Sequence, residues 1–248
     1  MTDVLGWRKV FAVIAPSTNT VVEPEMAAMR PVGVTNHYRD IYVENPTALS
    51  DKDFVAGTDK IGAALQDALR TARTCAPDYL VMGVSAISFV GGRAGGDDFI
   101  RQVEDAVGVR ASVGSRSVVA ALEAYGNIRR VAFVSPYYPS ANAQVRRYLQ
   151  DSGFDVVRDV PLQCSSWLDI GRQTPERLVQ VLRELDGDDV DAIVQVGTNL
   201  SMARLAPWAE LFLGKPVIAI NTATYWHALR ANGITDPIEG FGRLLTHM

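Results

Sequence analysis

Four short stretches of this chain place small hydroxyl, amide and phenol side chains directly after apolar runs. They are Pro16-Ser17-Thr18-Asn19-Thr20, Gly83-Val84-Ser85, Ser135-Pro136-Tyr137-Tyr138 and Gly197-Thr198-Asn199. Such groups donate and accept hydrogen bonds while carrying no charge, which suits a carboxylate, a phosphate or a developing oxyanion. Glycine at a strand end lets a ligand approach the backbone closely. The first stretch precedes a helical pattern whose free N–H groups favour anions. Each stretch also has a purely structural reading. Thr20 and Glu23 match the capping-box spacing, and taken alone a cap explains the first stretch better than a ligand does. The two glycine stretches, with Ser88 and Gly91-Gly92 beyond the first, read as tight turns as well. Tyr137 can donate to an oxyanion or pack as a half-buried aromatic.

Other chemistry-bearing residues are less suggestive. His227 lies in TATYWHALR, in the body of a helix, and reads first as a packed or surface residue. Asp97-Asp98 and the acidic run 186–191 read as solvated loop charges or helix caps. There is no GxSxG elbow and no P-loop, and GxGxxG is absent from the first strand–helix turn, so a dinucleotide site is not expected.

Composition narrows the partners. The 248 residues carry 24 Lys and Arg against 28 Asp and Glu, a net charge of -4, with no basic cluster. Binding to a phosphate backbone needs a basic face, so nucleic acid is not expected. No apolar run reaches the roughly 18 residues of a membrane span, and the first residues lack an apolar signal core. A cytoplasmic protein without membrane contact is the expectation. Two cysteines, Cys75 and Cys164, and three histidines, His37, His227 and His247, suggest neither a disulfide framework nor a metal cluster.

Short apolar runs alternate with amphipathic ones along the chain. Strands are expected over 9–15, 34–43, 79–84, 131–134, 154–160, 191–196 and 216–220. Helices are expected over 50–74, 97–107, 117–125, 140–150, 175–185 and 222–231. That alternation implies an α/β fold of parallel sheets flanked by helices. The order of signals also repeats. VFAVIAPS near the start has a counterpart in VAFVSPYY, and PDYLVMGVS in VDAIVQVGTN, at an offset of roughly 114 to 120 residues. Two pseudo-symmetric lobes follow, one of 1–114 plus 222–248 and one of 115–221, with the active-site cleft between them. A pseudo-dyad would bring Gly83-Val84-Ser85 and Gly197-Thr198-Asn199 to that cleft.

The same stretches resemble one family. APSTNTVVEPEM resembles the opening of the maleate cis-trans isomerases, with Pro-Ser-x-Asn and then Glu-x-Glu after the first strand. RRVAFVSPYY, VDAIVQVGTNL and GFGRLL resemble their later segments, and LVMGVSAISFVGG resembles the arylmalonate decarboxylases. The resemblance runs from about Val10 to Leu245 and points to the aspartate/glutamate racemase superfamily. It implies a cofactor-independent, homo-oligomeric enzyme acting on a small carboxylate or dicarboxylate. It implies that Asn19 with Ser17 holds one substrate carboxylate. Ser85 and neighbouring N–H groups, at Gly83 and Val84, would hold another carboxylate or an enolate-like oxyanion. Tyr137 would donate from the other lobe, and Gly197, Thr198 and Asn199 would complete a second anion nest.

The chain departs from the family where cysteines are expected. Those positions fall on Gly83 or Val84 and on Gly197, and neither Cys75 nor Cys164 matches them. Glycine can neither donate a proton nor attack carbon. The resemblance therefore implies a lyase or decarboxylase-type reaction, or another such as hydrolysis, that uses no cysteine. Tyr137, Ser85 or a bound water would supply the acid, with His227 and Asp169 as weaker candidates. The alternative is a silent binding or regulatory protein that keeps the carboxylate pocket.

Overall fold

The computed structural model describes residues 3–46 and 49–248. Its first sheet holds β1 (Lys9–Pro16), β2 (Val34–Ile41), β3 (Tyr79–Met82) and β4 (Ala111–Ser112), in the order β2-β1-β3-β4. The second holds β5 (Arg130–Ser135), β6 (Asp155–Pro161), β7 (Ala192–Gln195) and β8 (Val217–Ala219), in the order β6-β5-β7-β8. Every pairing is parallel. The identical strand orders bear out the two-lobed α/β reading and the internal repeat.

Helices flank both sheets. They are α1 (Val22–Ala28), α2 (Asp51–Ala72), α3 (Gly92–Val107), α4 (Gly114–Tyr125), α5 (Pro139–Asp151), α6 (Trp167–Ile170), α7 (Pro175–Leu185), α8 (Leu205–Leu213), α9 (Ile220–Ala231) and α10 (Arg243–His247). The helix α2 shows why the patterns were legible. Phe54, Ile61, Leu65, Ala68, Leu69 and Ala72 recur on one buried face. Ser50 and Asp53 close a reciprocal capping box at its start. The expected box at Thr20 and Glu23 does not form. The N-cap of α1 is Val21 and makes no side-chain cap, and Asn19 Oδ1 instead accepts from the N–H groups of Val21 and Val22, both at 2.9 Å.

Several elements differ from the pattern, the two-residue β4 and the five-residue α10 among them, and three others do so for physical reasons. The helix α3 starts at Gly92 because its glycine-rich first turn packs on the other lobe: a Cβ on Gly96 would lie 2.5 Å from the Tyr148 ring of α5. The helix α8 carries exposed Trp208, Leu211 and Phe212, which blur any amphipathic stripe. The helix α6 is a single turn, too short to show periodicity.

The lobes share a core. Phe11, Val13, Val22 and Val81 of the first lobe cluster with Val131, Phe133, Ile193 and Val194 of the second. The helices that leave the last strand of each sheet, α4 and α9, pack on each other, and α9 also lies against β3 and β4 of the first sheet. Arg8 pairs with Asp236 through two hydrogen bonds of 2.9 and 2.6 Å, tying the last segment to the first strand. None of the described helices is long and apolar enough to cross a membrane.

Register positions the four loops. Ile14 pairs with Met82, so the chain beyond Pro16 lies beside Gly83. Val134 pairs with Gln195, so Pro136 lies beside Gly197. In each sheet the order reverses at this central pair, the place where open α/β sheets bind ligands.

Candidate active site

The four loops meet. Ser85 Oγ of the first lobe and Tyr137 Oη of the second are 2.7 Å apart, and both side chains are buried. Desolvation pushes the Tyr137 phenol well above its ordinary pKa, and the hydrogen bond to Ser85 opposes this only in part. The phenol is thus a neutral donor throughout the physiological range. Its ring stacks in a tilted pair with Phe54, at 5.2 Å between centroids, and Phe54 in turn packs on Trp167 at 5.0 Å. The neighbouring Tyr138 turns away, donating its hydroxyl to Leu49 O at 2.6 Å.

Below this pair lies a cavity of about 60 Å³. Asn19, Ser85, Tyr137, Thr198 and Asn199 line its polar side, and Phe54, Ile61, Trp167 and Ile170 its apolar side. Among the described lining residues Tyr137 alone is titratable. Ile61 and Trp167 also border a larger open groove of about 530 Å³, whose far wall includes Tyr42, Leu49 and Ala64.

The side chains on the polar side are largely occupied with one another. Asn19 Nδ2 donates to Thr198 Oγ1 at 3.2 Å, and Thr198 Oγ1 donates to Gly83 O at 2.8 Å. Asn199 Oδ1 accepts from Thr20 N–H at 3.0 Å, and its Nδ2 donates to Trp167 O at 2.9 Å. These bonds lace the loops of the two lobes together. The donors left over are backbone groups. Among the described residues, the N–H groups of Val84, Ser85, Thr198 and Asn199 have no hydrogen-bond partner, and all four residues line the cavity. These two pairs, at matching positions of the two sheets, are the kind of backbone donor a carboxylate oxygen needs.

The remaining sequence candidates lie elsewhere. Ser17 is outside the lining, and its Oγ accepts from Val43 N–H at 2.9 Å. Gly83 contributes its carbonyl to Thr198 and donates its N–H to Ile14 O at 2.6 Å. His227 Nδ1 bonds Ser112 Oγ at 2.8 Å and does not line the cavity. Asp169 accepts from Ser165 N–H at 2.8 Å and caps a turn. Cys164 is buried, and desolvation pushes its thiol up to about 12. Cys75 donates to Ala72 O at 3.2 Å. No three His, Cys, Asp or Glu side chains converge among the described residues as a metal would require.

The two strand-end glycines leave no room for side chains. Gly197 has φ +97°, a left-handed conformation that other residues rarely adopt, and a Cβ there would collide with the Pro136 ring. A Cβ on Gly83 would lie 2.7 Å from Val22 Cγ1 and 3.0 Å from Ile14 O. The sequence carries no signal for Trp167 or Ile170, which come to the site on one isolated helical turn. Phe54 was visible only as part of the buried stripe of α2.

The arrangement can bind a carboxylate by neutral dipoles and stabilise a developing oxyanion. It offers no side chain poised to take a proton from carbon. The sequence profile of the arylmalonate decarboxylase family matches residues 13–245. Maleate isomerase from Nocardia farcinica is 27% identical over 97% of this chain and 96% of its own length. Arylmalonate decarboxylase from Bordetella bronchiseptica is 26% identical over 92% of this chain and 97% of its own. A solved structure of Nocardia farcinica maleate cis-trans isomerase bound to TRIS superposes with a TM-score of 0.86, at 23% identity, over 96% of this chain and 97% of that one.

Proposed function

This chain belongs to the arylmalonate decarboxylase family, and we propose that it is a cofactor-independent lyase that decarboxylates a small malonate-type dicarboxylate without a cysteine. One observation carries the reading: the neutral, buried Ser85–Tyr137 pair, 2.7 Å apart, facing a cavity whose other wall is apolar. Loss of carbon dioxide breaks a C–C bond and leaves the electron pair on the α-carbon, delocalised into the remaining carboxylate. The resulting enediolate needs donors and no general base. Ser85, Tyr137 and the N–H groups of Val84 and Ser85 supply those donors. The N–H groups of Thr198 and Asn199 would add to the donors on the carboxylate that is kept, while the apolar wall of Phe54, Ile61, Trp167 and Ile170 would face the one that leaves as neutral carbon dioxide. The carbon then takes a proton from Tyr137 Oη or from water, and solvent reprotonates the phenol.

The absence of a cysteine at the strand ends supports this over racemisation or adduct-based isomerisation, since Gly83 and Gly197 have no acid or nucleophile to offer. A panel of aryl- and alkylmalonates, maleate, aspartate, glutamate and hydantoins, followed by NMR in D2O, tests it. The expected result is conversion of a malonate to a monocarboxylate carrying one deuterium at the α-carbon. A second reading, a silent carboxylate-binding protein, is favoured by the lack of any titratable lining group besides Tyr137. It prevails if no compound is altered or exchanged while one still binds by calorimetry. A homo-oligomer, which the sequence resemblance implies, is part of the same proposal, and light scattering on the purified protein tests it.

A further inference from the structure

The loops that carry the free N–H pairs are ordered by different means. After β3 the chain turns at once into a 3-10 helix, Ala86–Phe89, and Ser88 Oγ donates to Ser85 O at 2.7 Å. After β7 it runs from Gly197 to Arg204 before α8 begins. Its internal bonds are sparse: Leu200 N–H reaches Gly197 O at 3.0 Å, and Gln195 Nε2 holds the carbonyls of Val196 and Gly197, each at 2.8 Å. The segment beyond Thr198 depends on partners outside itself.

Glu25 is the centre of those partners. It lies in α1 of the first lobe and is only 8% exposed. Its Oε1 accepts from Ser201 Oγ at 2.9 Å and from Ala203 N–H at 3.2 Å. Its Oε2 accepts from Asn221 Nδ2 at 2.7 Å. The same Asn221 Nδ2 donates to Thr198 O at 2.9 Å. No Lys, Arg or His pairs with Glu25 among the described residues, so neutral dipoles alone satisfy this carboxylate. Thr198 is thereby held at both ends, its carbonyl by Asn221 and its hydroxyl on Gly83 O.

We infer that Glu25 is a positioning residue. It clamps the loop 198–203 of the second lobe from the first lobe, through Ser201, Ala203 and Asn221, and so fixes where the Thr198 and Asn199 N–H groups point. This deepens the carboxylate-site reading and rests on it only for the ligand measurement below. Replacing Glu25 by Gln keeps the shape and reverses the logic. A carboxamide must turn its NH2 towards one of the donors, and the Ala203 N–H, a backbone donor, cannot reverse. If the Asn221 amide flips to oblige, it releases Thr198 O.

The test compares E25Q with the unmodified chain by amide hydrogen exchange, read peptide by peptide, and by calorimetry with malonate and maleate. Exchange in 198–203 is expected to accelerate at least tenfold while the segment 83–88 is unchanged. Anion affinity falls at least tenfold, and N221A added to E25Q lowers it less than threefold further, because both act through one link. N221A alone reads the same link from the other lobe should E25Q fail to fold. Unchanged exchange in 198–203 overturns the inference, and so does uniform acceleration along the whole chain, the signature of general destabilisation. If the unmodified chain binds no anion, the carboxylate reading fails while the exchange result still decides the role of Glu25.

Discussion

Tyr137 and Ser85 are 52 residues apart in sequence, belong to different sheets, and share a hydrogen bond of 2.7 Å. Neither lobe holds this donor pair alone. The most direct test removes one hydroxyl at a time. Each of Tyr137→Phe and Ser85→Ala is expected to lower turnover by about 10²- to 10³-fold, the usual cost of losing one oxyanion donor. The double variant should be little worse than either, because each hydroxyl orients the other. Steady-state rates with the best malonate of the panel supply the comparison, and full activity in either single variant would remove the pair from the mechanism.

Asn19 does two jobs, capping α1 at Val21 and Val22 and steadying Thr198. Asn19→Ala should weaken anion binding or turnover at least tenfold, about 1.4 kcal/mol. It should also cost about 1 kcal/mol of stability through the lost cap. Calorimetry and denaturant unfolding read the two effects separately.

Gly197 is fixed by its backbone. Gly197→Ala is expected to destabilise the fold by at least about 1 kcal/mol, from the left-handed φ of +97° and the Pro136 ring in the way of a Cβ. Gly197→Cys should be no better and should show no α-proton exchange with aspartate or glutamate. Denaturant midpoints and NMR in D2O check this.

Trp167 separates the small cavity from the open groove, and its ring lies on Gly57, where a Cβ would approach it to 2.6 Å. Trp167→Ala should admit malonates with larger substituents, at a stability cost of about 3 kcal/mol for the lost aromatic. The ratio of rates for arylmalonate and methylmalonate is the readout. It should rise in the variant.

Two groups of residues contribute to the pH dependence of the fold. Hydrogen bonds from Arg130 hold the Asp191 carboxyl at about 2. Its contribution is therefore present above the unfolded value near 3.8 and is lost as pH falls towards 2. Asp191→Asn should lower stability at pH 7 by about 1 kcal/mol, a solvent-screened value, and flatten the acid limb. Burial raises the phenols of Tyr38, to about 12, and of Tyr137 and Tyr225. Their contribution is complete below the unfolded value near 10 and is lost as pH rises through the folded values. Thermal unfolding across pH 2 to 12 displays both limbs.

The strands, the repeat and the four loops were legible because they rest on local patterns: buried apolar runs, one buried stripe on α2 and glycines at strand ends. The occupation of the polar side chains was not. Asn19, Thr198 and Asn199 read as ligand groups from their types, yet their partners lie 179 residues away across the lobe boundary. Glu25 sat within a recognisable Glu-x-Glu, and nothing in its neighbourhood announced Ser201 or Asn221 as partners. Ser17 had the right type and position, but the turn after β1 sends its hydroxyl to Val43. Such contacts depend on tertiary register, which single-residue types do not encode.

The return of α9 onto the first sheet has a consequence for biosynthesis. A ribosome delivers β1 to β4 long before residues 220–231 emerge. Until then the surface of β3 and β4 that α9 covers stays bare, and Glu25 and the Thr198 carbonyl lack Asn221 as their partner. The protein therefore cannot mature lobe by lobe as it is made, and α9 acts as the latch that completes the part synthesised first.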